Sequence, residues 1–195
     1  MPYFTKGEAR AAAARSDILQ KGSGSYERGL RKAMESATQW EAFDVFLSHS
    51  VRDAELIAGV TRLLEDQGLK VYVDWLVDPQ LDRNAVTKET AALLRQRMRQ
   101  SKSLIFVASD GASSSKWMPW ELGYFDGFKP GNVAILPLLD NASEVFRGQE
   151  YLGLYPIVNR NTYTDGRPEI FVEEFGKQWS TLKRFGSGGP DWRPY

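Results

Sequence analysis

The chain is predicted to be an α/β protein with a five-stranded parallel sheet, helices on both faces and an N-terminal helical extension. Three observations predict this. Short, nearly continuous apolar runs alternate with amphipathic stretches from Phe43 onward, as expected of strands buried on both faces. Helix-length segments separate those runs, which makes the crossovers parallel. The 195 residues suffice for one well-buried domain with some additional structure, but not for two full domains.

Taken in order, residues 1–40 form a separate helical block. The Ala-rich stretch from Glu8 to Leu19 favours helix. Gly22-Ser-Gly-Ser breaks it, and Tyr26 to Trp40 resumes with Leu30, Ala33, Met34 and Ala37 at i, i+3, i+4 and i+7. That stripe must cover its own domain or another subunit. Residues 41–185 form the main domain. Phe43 to Leu47 is the first strand, and Ala54 to Gln67 an amphipathic helix closed by Gly68. Leu69 to Val73 is the second strand, Trp75 to Asn84 a polar loop, and Val86 to Arg99 a helix. Ser103 to Ala108 is the third strand, Val133 to Leu139 the fourth and Tyr155 to Val158 the fifth. Glu169 to Phe185 reads as a final helix, and residues 186–195, rich in Gly and Pro, as a mobile tail.

Composition narrows the function. With 25 basic and 25 acidic residues there is no one-sign field to draw in nucleic acid or a membrane surface. The absence of cysteine excludes disulfides, thiolate catalysis and cysteine-ligated metals, and a single histidine argues against a zinc site. Neither a signal-type segment nor a membrane span stands out, so a cytoplasmic location is expected.

In an open doubly wound sheet, ligands bind beyond the carboxyl ends of the strands, where strand order reverses. Ser48, His49 and Ser50 leave strand one; Asp74 and Trp75 leave strand two; Ser109 and Asp110 leave strand three. The last pair leads into SSSKWMPWELGYFDGF, where Trp117 and Glu121 stand four apart and share a helix face. Pro119 suits a first turn, so the helix should begin near Ser115. An indole beside a carboxylate at this crevice suggests a grip on a planar group and chemistry on the bond next to it. There is no Gly-rich phosphate cradle and no G-x-S-x-G elbow.

FDVFLSHS followed by RDAE, LKVYVD, SLIFVAS and KWMPWELGYF resemble the TIR (Toll/interleukin-1 receptor) domain of the bacterial type, over about Phe43 to Phe185. The resemblance implies the flavodoxin-like sheet and, in many bacterial members, cleavage of NAD at the nicotinamide–ribose bond. It makes Glu121 the catalytic glutamate and Trp117 the aromatic residue before it. Trp75 to Asn84 corresponds to the family's BB loop, which often controls access and assembly, although WLVDPQLDRN lacks the usual Pro-Gly pair. It further implies an anti-phage role of the Thoeris kind, self-association through the domain, and a separate effector that senses the product.

One carboxylate suffices for such chemistry. Nicotinamide leaves as a neutral molecule from a cationic ring, so no general acid is needed. A glutamate facing the oxocarbenium-like ribose supplies the electrostatic stabilisation. Trp117 or Trp75 can stack on the ring, and neither metal nor cofactor is required, NAD being the substrate. Water as acceptor gives hydrolysis; a nitrogen or hydroxyl of the same molecule gives a cyclic product. A non-catalytic TIR–TIR adaptor, or a hydrolase of another nucleoside or nucleotide, are the competing readings.

Overall fold

A parallel sheet built on β2 (Phe43–Ser48) organises the computed structural model, which describes residues 3–15, 41–74, 78, 87–142 and 144–195. β2 pairs with β3 (Val71–Tyr72) on one side and β4 (Ser101–Ala108) on the other. β5 (Val133–Leu139) and β6 (Ile157–Thr162) continue in parallel. The order β3-β2-β4-β5-β6 is the flavodoxin-like arrangement, and it reverses between β2 and β4. Among the described residues, α1 (Lys6–Ala13) and α2 (Ala54–Glu65) pack on one large face, and α3 (Lys88–Gln100) and α4 (Met118–Phe128) on the other. Among the described residues no helix is long and apolar enough to cross a membrane.

The strand count differs from the expected five. The sheet has nine strands among the described residues. A short β1 (Phe4–Thr5) lies parallel to the end of β5, in register with Leu138 and Leu139. Beyond β6 the sheet turns antiparallel through β7 (Pro168–Glu174), β8 (Gln178–Thr181) and β9 (Arg193–Pro194). The final helix expected over 169–185 is therefore corrected to a hairpin, with only Leu182–Gly186 helical as α5. The reason is local. Ile170, Phe171 and Val172 favour a pleated surface, and Gly176 at φ +71° makes the turn that a helix could not contain. Tyr163, Phe171 and Trp179 then pack edge to face at 5.2–6.2 Å. The tail expected to be mobile is paired as well: Arg193 lies over the Trp179 ring at 5.4 Å and Trp192 packs edge-on against Phe185.

At the other terminus, Thr5 caps α1 with a reciprocal Glu8 interaction, a capping box that fixes where the helix starts. Arg160 of β6 binds Glu8 and lies over the Phe4 ring at 4.2 Å. α1 then crosses α2 so closely that a Cβ added to Gly59 would meet the Ala9 carbonyl oxygen at 1.8 Å. α1 thus covers part of this sheet face, and the Leu30–Ala37 stripe, of which a covering role was expected, lies outside the described residues.

Candidate active site

The alternation of side chains along β2 decides which residue faces which helix. Phe46 belongs to the core beneath α3 and α4, and Ser48, two residues on, shares its face. There Ser48 Oγ donates to Glu121 Oε2 at 2.6 Å, with both residues fully buried. The helix carrying Glu121 starts at Met118 rather than near Ser115; Ser115 Oγ accepts from the Met118 amide at 3.2 Å. The Glu121 amide donates to the Trp117 carbonyl at 2.8 Å, closing the first turn. Pro119 occupies a first-turn position, as expected. Trp117 is 5% exposed and meets Trp120 edge-on at 5.4 Å.

His49 points its Nδ1 at the Leu47 carbonyl, 2.7 Å away, and its Nε2 at Asp74 Oδ1, 3.2 Å away. A carbonyl can only accept, so Nδ1 carries a proton. Nε2 thus joins the ends of β2 and β3 while Nδ1 binds back onto β2, an arrangement that suits a structural residue better than a base. Ser50 caps the turn Val51–Asp53 by accepting from the Arg52 amide at 3.3 Å. A cleft of about 200 Å³ lies beside these groups, lined by His49, Ser50, Val51, Arg52, Ser114, Ser115, Lys116 and Trp117. Its two cations, Arg52 and Lys116, flank an indole one helical turn from Glu121.

Ser109 and Asp110 separate from that group. Ser109 Oγ donates to Asp53 Oδ2 at 2.6 Å and ties the β4 loop to the start of α2. Gly111 follows, where a Cβ would stand 2.4 Å from Asp53 and 2.8 Å from Ser50. Asp110 binds the Lys6 ammonium at 2.6 Å, with Asp140 at 3.1 Å. The hydrogen bond to Asp110 holds the Lys6 ammonium above its usual pKa range, with Asp140 reinforcing it against the cost of burial. Trp75 lies outside the described residues. Among the described residues no cluster of three or more His, Asp or Glu could hold a metal ion.

Sequence reasoning missed a buried ion pair. Arg97 of α3 grips Asp78 through Nε at 2.7 Å and Nη2 at 2.8 Å, and Tyr72 donates its hydroxyl to the same carboxylate at 2.9 Å. That hydrogen bond from Arg97 to Asp78 raises the arginine pKa further, and burial carries the Tyr72 phenol well above its own range. The missed signal was Arg97 on the same helix stripe as Leu94 and Met98, where an arginine is buried only with a partner.

Comparison with known proteins follows the same outline. The TIR domain pattern matches residues 45–169. A relative from Bacillus cereus (strain MSX-D12), described as "Probable 3' cyclic ADP-D-ribose synthase ThsB'", is 47% identical over 158 residues, 80% of this chain and 81% of its own. A second, from Cytobacillus dafuensis and described as "Putative cyclic ADP-D-ribose synthase TIR2", is 34% identical over 85 residues, 43% of this chain and 22% of its own. With the reversed strand order, the Ser48–Glu121 contact and these matches together, the chain belongs to the TIR domain family.

Proposed function

We propose that the chain cleaves NAD at the nicotinamide–ribose bond and closes the ADP-ribose into a cyclic product. The observation that carries this reading is the buried Glu121 carboxylate held by Ser48 at 2.6 Å, one turn from a tryptophan that lines a cleft. Trp117 stacks on the cationic nicotinamide ring. Arg52 and Lys116 neutralise the diphosphate. As the C–N bond breaks, its electron pair goes to the pyridinium nitrogen and nicotinamide leaves neutral. Glu121, opposite the developing ribosyl cation, stabilises it electrostatically in a site with little water. A hydroxyl of the same molecule then attacks the ribosyl carbon and passes its proton to the glutamate. That both relatives are described as cyclic ADP-D-ribose synthases supports ring closure over hydrolysis. NAD is the substrate, and no resident cofactor takes part.

The same reading extends to the cell. A cyclic ADP-ribose would serve as a signal to a separate effector in Thoeris-type anti-phage defence. Glu121 and Ser48 are 0% exposed and His49 1%, so substrate reaches the carboxylate only when the cleft opens. Self-association would supply that opening, and restraint in the free chain would protect the cell's own NAD. Specific activity rising with protein concentration, alongside mass from light scattering, supports this; constant high turnover from a monomer removes it.

Glu121→Gln tests the chemistry. Gln keeps the shape and still accepts from Ser48, so the fold should hold while nicotinamide release falls by about 10² or more. His49→Ala should lose less, because His49 joins strand ends. Near wild-type release from a folded Gln variant removes Glu121 from the mechanism, and the reverse order of the two variants reassigns the roles.

A further inference from the structure

The cleft beside Trp117 encloses about 200 Å³, less than the roughly 300–1,000 Å³ of ordinary small-molecule pockets. It has room for one end of a dinucleotide. A larger cavity of about 500 Å³ opens at the carboxyl ends of β4 and β5. One segment walls both: Ser109, Asp110, Ala112 and Ser113 face the larger cavity, and Ser114 to Trp117 face the smaller. Successive α-carbons are about 3.8 Å apart, so the two spaces meet across this loop.

Their linings differ in chemistry. The small cleft carries Arg52 and Lys116 without a carboxylate among its lining residues. The larger cavity is walled by Phe106, Phe146 and Leu152, and its charged lining sets Asp110, Asp140 and Glu144 against Lys6 and Arg147. The Lys6 ammonium is already engaged by Asp110 and Asp140. Such a lining disfavours phosphate, whereas its carboxylates accept from hydroxyl and amino groups and its aromatic walls suit a planar base. From this partition we propose that the β4/β5 cavity is a purine-nucleoside subsite, which takes the adenosine half of the dinucleotide while the diphosphate crosses the Ser113–Lys116 loop. Lys6, from a segment ahead of the TIR-matched residues 45–169, shapes this subsite by holding Asp110 and Asp140 together. The proposal rests on the NAD-cleaving reading, but its binding step is separable from it.

Adenosine itself is the probe. It is titrated calorimetrically into the full chain, wild type and Asp110→Ala/Phe146→Ala, and the KM for NAD is measured on both. The double variant is expected to bind adenosine at least about tenfold more weakly and to show a matching rise in KM. Should it fold poorly, Asp110→Asn alone, at an exposed side chain, is expected to weaken adenosine about threefold. Equal adenosine affinity in wild type and variant, or no binding to wild type at millimolar adenosine, overturns the subsite. If adenosine binding falls in the variant while wild type releases no nicotinamide from NAD, the nucleoside subsite stands and the NAD-cleaving reading falls.

Discussion

The two faces of the sheet are built from different materials. Beneath α1, α2 and α5 the core is mostly aliphatic: Val45, Leu47, Ile57, Val60, Leu64, Ile105, Leu136 and Leu182. Beneath α3 and α4 aromatic rings and two methionines join the aliphatic side chains: Phe43, Phe46, Tyr72, Met98, Phe106, Trp117, Met118 and Phe125. The buried Glu121, Asp78 and Arg97 accompany the second set, not the first. An aliphatic layer has nothing to offer a charge, so it serves as a rigid wall. Aromatic rings present a negative face and a positive edge. Arg97 lies over Tyr72 at 5.9 Å and Arg95 over Trp120 at 5.2 Å. Buried ions are accommodated on the aromatic face because its rings and polar partners compensate their lost hydration.

Paired substitutions can break this comparison. Arg97→Ala leaves the Asp78 carboxylate buried without its guanidinium and should cost about 3–5 kcal/mol. Leu64→Ala, at a fully buried position on the aliphatic face, should cost about 2–5 kcal/mol through a cavity. The magnitudes overlap, so the distinction lies in rescue. Asp78→Asn in the same chain as Arg97→Ala removes the stranded charge and still accepts from Tyr72, and should restore part of the stability. Denaturant melts of the single and double variants decide it. No rescue by Asn would mean that Arg97 matters for its packing rather than its charge.

Much of this was legible from the chain. The buried strands Phe43–Ser48, Ser101–Ala108 and Val133–Leu139 were expected nearly in place, because continuous apolar runs leave few alternatives. The four-residue spacing placed Trp117 and Glu121 one turn apart, although Trp117 caps the helix rather than standing within it. The contact of Glu121 with Ser48 spans 73 positions and was not predictable from either neighbourhood. Residues 169–185 hold Glu and Lys that favour helix locally, whereas the edge of β6 offers pairing partners that no local pattern announces. Lys6 was invisible for a similar reason: its partners, Asp110 and Asp140, lie more than 100 positions away.

A smaller effect tests the wall itself. Gly59 sits inside α2, where Ala would ordinarily favour helix by about 1 kcal/mol. In this position the added methyl would meet the Ala9 backbone, and such overpacking costs about 1–3 kcal/mol. Gly59→Ala should therefore destabilise the chain, and the loss should concentrate in α1, seen as faster amide exchange at Ala9 to Ala13. A rise in melting temperature would show that α1 does not cross α2 this closely, and the aliphatic face would lose its outer cover.

The smallest effect is at Lys6, where the two faces meet: its cavity is lined by Phe106 from one core and Leu138 from the other. Asp110 and Asp140 raise its pKa in the folded state. A raised ammonium pKa contributes stability that is fully present below the unfolded value, about 10.4, and is lost as pH rises through the higher folded value. Both carboxylates are largely solvent-exposed, so the contribution at neutral pH should be no more than about 1 kcal/mol. Lys6→Met removes it while keeping an apolar stem against the cavity. The gap in melting temperature between wild type and Lys6→Met should be small but constant from pH 6 to about 9, then close as the pH passes about 10.5. Other lysines and tyrosines titrate in both proteins and largely cancel in the difference. A gap that persists unchanged at high pH would assign Lys6 a packing role, with its charge irrelevant to holding the N-terminal segment on the sheet.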